Sequence, residues 1–124
     1  MEDTKPMQID GNLGVVQAVI EMLLQSHDDE LVILPALPAS WQKGSFRGLV
    51  ARGNVVVDAW WEGGKLTRAC VTPRVDGDVV LAVGPEYVLL DGGVAVAPAV
   101  DGRIRARLRA GAEGHYTVVS RLFL

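Results

Sequence analysis

Between residues 13 and 26 the polar positions recur every fourth residue. Gln17, Glu21 and Gln25 stand at i, i+4 and i+8, and Val15, Val16, Ala18, Val19, Ile20, Met22, Leu23 and Leu24 fill most of the space between. At about 100° per residue this spacing predicts a helix over 13–26 whose polar stripe spans an arc of only roughly 80°. Asp10-Gly11-Asn12 in front of it is a turn and helix-start signal, because Asp and Asn side-chain oxygens cap helix N-termini. Residues 1–9 carry charge, one proline and no periodicity, and read as an extended lead-in. His27-Asp28-Asp29-Glu30 ends the helix as a solvated charged segment, with His27 placed to complement the helix dipole.

After residue 30 the period changes to two. Residues 31–34 read as a short buried strand. Pro35 and Pro38 bracket Ala36-Leu37, and because proline cannot donate to a ladder this is a rigid connector, leading to Ser40-Trp41 and a turn at Lys43-Gly44. Strands are predicted at 48–52, 55–62, 65–72, 79–83, 87–90, 94–97, 103–109 and 116–122. Gly63-Gly64 joins the second and third of these as a hairpin, and Asp76-Gly77, Asp91-Gly92-Gly93, Asp101-Gly102 and Gly111 with Gly114 supply later turns. Along 103–109 Ile104, Ala106 and Leu108 alternate with Arg103, Arg105, Arg107 and Arg109, the pattern of a half-buried strand. The fold class expected is mainly β: a C-terminal β-sandwich of about eight strands preceded by one α-helix. The expected divisions are 1–30 for the lead-in and helix, 31–45 for the connector and 46–124 for the sandwich.

The helix over 13–26 is apolar around most of its circumference, whereas a helix on the surface of a sandwich needs one apolar stripe. Each large side chain left without a partner would forgo burial worth on the order of 1.5–3 kcal/mol. Four or five of them would rival the stability of a typical domain, about 5–15 kcal/mol. The helix is therefore expected to pack inside a larger helical assembly, or against a second copy of the chain.

Composition narrows the classes further. The 124 residues make one domain that can bury a sizeable core without a metal or disulfide staple. Apolar residues are 49% of the chain and the mean hydropathy is +0.24, which excludes a disordered chain. The net charge of −3 gives no drive toward nucleic acid or an anionic membrane, so neither is expected as a partner. One cysteine, Cys70, permits no internal disulfide, and two histidines, His27 and His115, stand far apart, so no metal and no cofactor is expected. No apolar run approaches the roughly 20 residues needed to cross a bilayer, and no basic-then-apolar leader is visible.

Few residues carry candidate chemistry. The arginine strand face would suit a phosphate or polyanion, but it reads first as a solvated face that blunts edge pairing. Trp41, Trp60 and Trp61 are candidate sugar-stacking rings. Adjacent strand residues face opposite ways, so one of Trp60 and Trp61 should be buried. Cys70 reads as a small core residue. Asp10, taken alone, reads as a helix cap.

The segment Met7-Gln8-Ile9-Asp10-Gly11-Asn12-Leu13-Gly14 resembles the Phe-Gln-Ile-Asp-Gly-Asn-Phe-Gly signature of glycoside hydrolase family 95, the α-L-fucosidases. The likeness continues through the residues from Glu21 to Asp28, Leu34-Pro35-Ala36-Leu37-Pro38, Trp41, Gly44-Ser45, Gly48-Leu49, Ala51-Arg52-Gly53, Val57-Asp58, Trp61 and Gly64-Lys65-Leu66. It is specific over about 6–69 and loose beyond. Met7 and Leu13 replace the signature's aromatics, and Asn54 stands where a glycine is usual. The resemblance implies that this chain is the C-terminal part of such an enzyme, with 13–26 as the last helix of an (α/α)6 barrel. The implied partners are that barrel and, in the intact enzyme, a fucosylated oligosaccharide. It further implies inverting hydrolysis of terminal α-1,2-linked L-fucose, with Asp10 as candidate general base and Gln8 and Asn12 as substrate-binding residues. The family's general acid lies upstream, so the isolated chain is expected to be inert.

Overall fold

The computed structural model describes residues 7–10, 23–27, 30–34, 39–52, 54–111 and 116–121. Among these are eleven strands: β1 (Met7–Asp10), β2 (Leu24–His27), β3 (Glu30–Ile33), β4 (Lys43–Ala51), β5 (Val55–Glu62), β6 (Lys65–Pro73), β7 (Gly77–Ala82), β8 (Tyr87–Asp91), β9 (Val94–Pro98), β10 (Arg103–Leu108) and β11 (Tyr116–Ser120). They form two sheets, a seven-stranded one ordered β1-β4-β5-β6-β11-β8-β9 and a four-stranded one ordered β10-β7-β3-β2. The chain is a β-sandwich, as the period-two patterning predicts.

The core lies between the sheets. The seven-stranded sheet supplies Phe46, Val57, Ala59, Trp61, Ala69, Val71, Leu89 and Val118, and the four-stranded sheet supplies Leu24, Leu31, Ile33, Leu81, Ile104 and Leu108, all buried. Alternation explains which residues these are, since β5 buries Val55, Val57, Ala59 and Trp61 while Val56, Asp58 and Trp60 face the other way. The β10 pattern holds, with Ile104 and Leu108 buried and Arg105 and Arg107 exposed. The β5–β6 hairpin turns at Gly63 and Gly64, whose φ values of 63° and 75° are those a two-residue turn of the right twist requires.

Several expectations are corrected. Leu24, Gln25 and Ser26 do not end a helix: they are strand β2, paired antiparallel with β3 so that Leu24 opposes Ile33 and His27 opposes Glu30. Four residues are too few to separate a helical from a strand period, and pairing with the apolar β3 settles it. Leu23 and Leu24, two of the apolar residues thought to need an outside partner, are buried in this chain's own core. The rest of the expected helix, its start at Gly11-Asn12, the prolines of the connector and the segment around Gly114 and His115 lie outside the described residues. Glu30 is not a free solvated charge, because its Oε2 accepts from Arg103 Nε at 2.6 Å. Lys43-Gly44 is not a turn but the start of β4, opposite Glu62 and Trp61. No helix among the described residues is long and apolar enough to cross a membrane.

Candidate functional site

Of the residues singled out by the signature, Gln8 and Asp10 are described in backbone and Asn12 lies outside the described residues. β1 runs parallel to β4 at one end of the seven-stranded sheet, with Gln8 opposite Ser45 and Asp10 opposite Arg47. Asp10 is therefore the last residue of an edge strand, about 4.8 Å from the neighbouring strand. The register brings it beside Arg47, a residue that sequence spacing does not single out.

Arg47 belongs to a larger arrangement. Its guanidinium carbon lies 5.8 Å from the centroid of the Trp60 ring, and that of Arg68 lies 4.7 Å away. β4 and β6 flank β5, so the two cations reach the ring from neighbouring strands on either side. An electron-rich indole face attracts cations within about 6 Å. Neither arginine is among the ion pairs of the described residues, which are Arg103–Glu30 and Arg107–Asp78. Asp58, facing the same way as Trp60, is already engaged: its Oδ1 accepts from the Gly48 amide at 2.7 Å. Trp60 is thus a ring already engaged by two guanidinium groups, a poor sugar platform, since a stacking sugar would have to compete with them. Counting back from the Gly63-Gly64 turn would set Trp60 opposite Thr67. A bulge between Trp60 and Trp61 shifts it opposite Arg68 instead, which is why spacing alone misses the contact.

The remaining family-like positions have structural work. Trp61 is 1% exposed and its Nε1 donates to the Trp41 carbonyl at 2.9 Å. Gly48 has φ 72°, so a side chain there would be strained, and it sits in the β4 irregularity between Phe46 and Leu49. The Gly64 amide donates to the Gln42 carbonyl at 3.2 Å. The Leu66 carbonyl accepts from Tyr87 Oη at 2.6 Å, a phenol whose pKa is pushed up by burial and then by the nearby Glu86 carboxylate. Asn54 has φ 63°. Its carbonyl accepts from the Arg74 amide at 2.9 Å, and its Oδ1 from Arg74 Nη1 at 3.4 Å. Asn is among the few side chains that tolerate this left-handed conformation.

A cleft of about 570 Å³ is lined by Glu30, Asp76 and Asp78 beside Val55 and Leu108. Its carboxylates are all engaged. Glu30 holds Arg103, Asp76 accepts from the Ala110 amide at 2.8 Å, and Asp78 meets Arg107 at 3.4 Å. Among the described residues no three His, Cys, Asp or Glu side chains are grouped to hold a metal ion. Cys70 is half-buried on the face of the sheet that carries Trp60, with Arg68 Nη2 3.7 Å from its sulfur, rather than in the core between the sheets.

Comparison with known proteins agrees with the resemblance to family 95. The chain is 52% identical over 64 residues to "Alpha-L-fucosidase 2" of Arabidopsis thaliana, an alignment covering 51% of this chain and 8% of that protein. It is 34% identical over 76 residues to "Probable alpha-fucosidase A" of Aspergillus niger and 40% identical over 76 residues to the Aspergillus oryzae protein of the same name. Each of these alignments covers 52% of this chain and 10% of the relative. The chain thus spans about a tenth or less of the length of these relatives. Residues 25–118, running from β2 into β11, match the family described as "Glycoside hydrolase family 95, C-terminal domain", and the chain belongs to that family.

Proposed function

We propose that this chain is the C-terminal part of an inverting α-L-fucosidase acting on terminal α-1,2-linked L-fucose, and that it has no turnover by itself. The observation that carries this reading is the 52% identity to a protein named an α-L-fucosidase, confined to 8% of that protein's length. Inverting hydrolysis needs two carboxyl groups roughly 6.5–9.5 Å apart on opposite sides of the scissile bond. One protonates the leaving oxygen, and the other takes a proton from the attacking water. In this reading Asp10 is the base, Gln8 and Asn12 contact substrate, and the acid comes from chain preceding this segment. The position of Asp10 at the end of an edge strand supports it, because among the described residues β1 has a strand on one side only, whereas the sandwich interior is filled.

The test has two parts. The purified chain, incubated with 2′-fucosyllactose and an aryl fucoside, releases no fucose. A chimera in which this chain, Asp10 included, replaces the corresponding part of the Arabidopsis relative hydrolyses 2′-fucosyllactose with inversion, and Asp10→Asn in that chimera lowers kcat by at least a thousandfold. Turnover by the isolated chain, or an active Asp10→Asn chimera, overturns the assignment. A second reading, a non-catalytic accessory module, is favoured by the Arg47–Trp60–Arg68 face in its protein-binding form. Trp and Arg are the side chains that most often anchor protein contacts.

A further inference from the structure

The two sheets leave a groove where their edges meet. β10 is the edge of the four-stranded sheet and β9 the edge of the seven-stranded one. Between them lies a cleft of about 310 Å³ whose walls include Arg105, Arg107, Arg109, Val96, Ala97 and Asp91. Among the described residues, three guanidinium-bearing ones thus line one small space with a single carboxylate-bearing one, in a chain whose overall charge is −3. The positive field is local, made by the β10 strand rather than by composition.

The four arginines of this strand are not equivalent. Arg103 is held by Glu30 at 2.6 Å and has a structural partner. Arg107 meets Asp78 at 3.4 Å with both side chains largely exposed, a pairing of the kind that contributes little and is readily given up. Arg105 and Arg109 are in no ion pair among the described residues. The Arg109 amide donates to the buried Tyr116 hydroxyl at 2.9 Å, which anchors the end of this arginine row to the core. Alternate strand residues repeat at about 6.8 Å, so the row from Arg105 to Arg109 carries positive charge over about 13 Å. That length suits several anionic groups along a chain better than one free ion. The facing side carries Val96, 53% exposed, and Ala97. Arginine binds oxyanions through paired N–H donors, and the Val96 and Ala97 side chains offer apolar contact to the C–H faces of a sugar ring.

We propose that the β9–β10 groove binds an anionic oligosaccharide, with sulfate or carboxylate groups on Arg105, Arg107 and Arg109 and sugar faces against Val96 and Ala97. The choice of a sugar rests on the glycoside hydrolase reading; the anion preference rests on the arginines alone.

The test is calorimetric titration of the full chain with a sulfated heparin tetrasaccharide, its desulfated counterpart, inorganic sulfate and a short single-stranded DNA. The expected result is saturable one-to-one binding of the sulfated tetrasaccharide. Affinity falls at least tenfold in Arg105→Ser/Arg107→Ser and is unchanged in Arg68→Ser, which removes a cation elsewhere. If the double serine variant melts early, Arg105→Lys/Arg107→Lys keeps the charge and still loses affinity, because the paired donors are gone. Absence of saturable binding at low salt overturns the proposal, as does equal affinity in the groove variants. DNA or inorganic sulfate binding as tightly as the tetrasaccharide also overturns it, reducing the groove to a general anion site. The fucosidase assignment is read by turnover of the chimera, so either reading can fail without the other.

Discussion

The indole Nε1 of Trp61 donates to the carbonyl oxygen of Trp41 at 2.9 Å. The bond ties the residues entering β4 to the middle of the seven-stranded sheet, and both tryptophans belong to the stretch that resembles family 95. Their placement has a packing reason. Trp61 is among the largest fully buried side chains, and a buried indole N–H needs an acceptor. Trp61→Phe keeps most of the ring volume and loses the bond, and is expected to cost about 1–3 kcal/mol in urea unfolding. Trp61→Ala also opens a cavity and should cost about 3–5 kcal/mol. A Trp61→Phe variant as stable as the parent would mean that the bond contributes nothing.

Asn54 predicts a gain. Its φ of 63° is costly for residues with a side chain and free for glycine. Asn54→Gly keeps the carbonyl that holds the Arg74 amide and loses only the 3.4 Å side-chain contact. Its thermal midpoint is expected to equal or slightly exceed the parent's. Asn54→Val, β-branched at the same φ, should lower stability by about 1–2 kcal/mol. A stable Val variant would show that the turn has another accessible form.

Tyr87 sets an alkaline limit. Burial and the Glu86 charge raise its pKa above the ordinary 10.0, so the folded state keeps its proton longer than the unfolded chain does. The contribution is complete below pH 10. It declines as pH rises from there through the folded-state pKa, because the unfolded chain then binds fewer protons. Urea unfolding measured from pH 8 to 11 should show this decline, and Tyr87→Phe should flatten it. Tyr87→Phe also lacks the 2.6 Å bond to Leu66 and is expected to be about 1 kcal/mol less stable at pH 7. An identical alkaline limb in both proteins would remove Tyr87 as its source.

Trp60 predicts silence toward sugar. With Arg68 at 4.7 Å and Arg47 at 5.8 Å from its ring, L-fucose should cause no saturable change in tryptophan fluorescence. A saturable change that disappears in Trp60→Phe would show that the arginines yield the ring to a sugar.

The β5–β6 hairpin was legible because everything that makes it is contiguous: two alternating segments and a Gly-Gly turn. The arginine alternation of β10 was legible for the same reason. The β2–β3 hairpin was not, because Leu24-Gln25-Ser26-His27 fits the tail of a helical repeat as well as a short strand. Asp10 stood out only through the family signature. No local pattern sets it beside Arg47, because a parallel pair joins residues far apart in the chain. The arginines around Trp60 were hidden by a bulge that moves the register by one residue.

Alternating polarity and turn chemistry, properties of neighbouring residues, determined that this chain makes a β-sandwich and which side of β5 and β10 is buried. Strand order, the bulged register that sets arginines against Trp60, and the meeting of β9 with β10 were decided by tertiary structure alone. These depend on contacts between distant segments, whose energy counts only once both surfaces are present and leave water together.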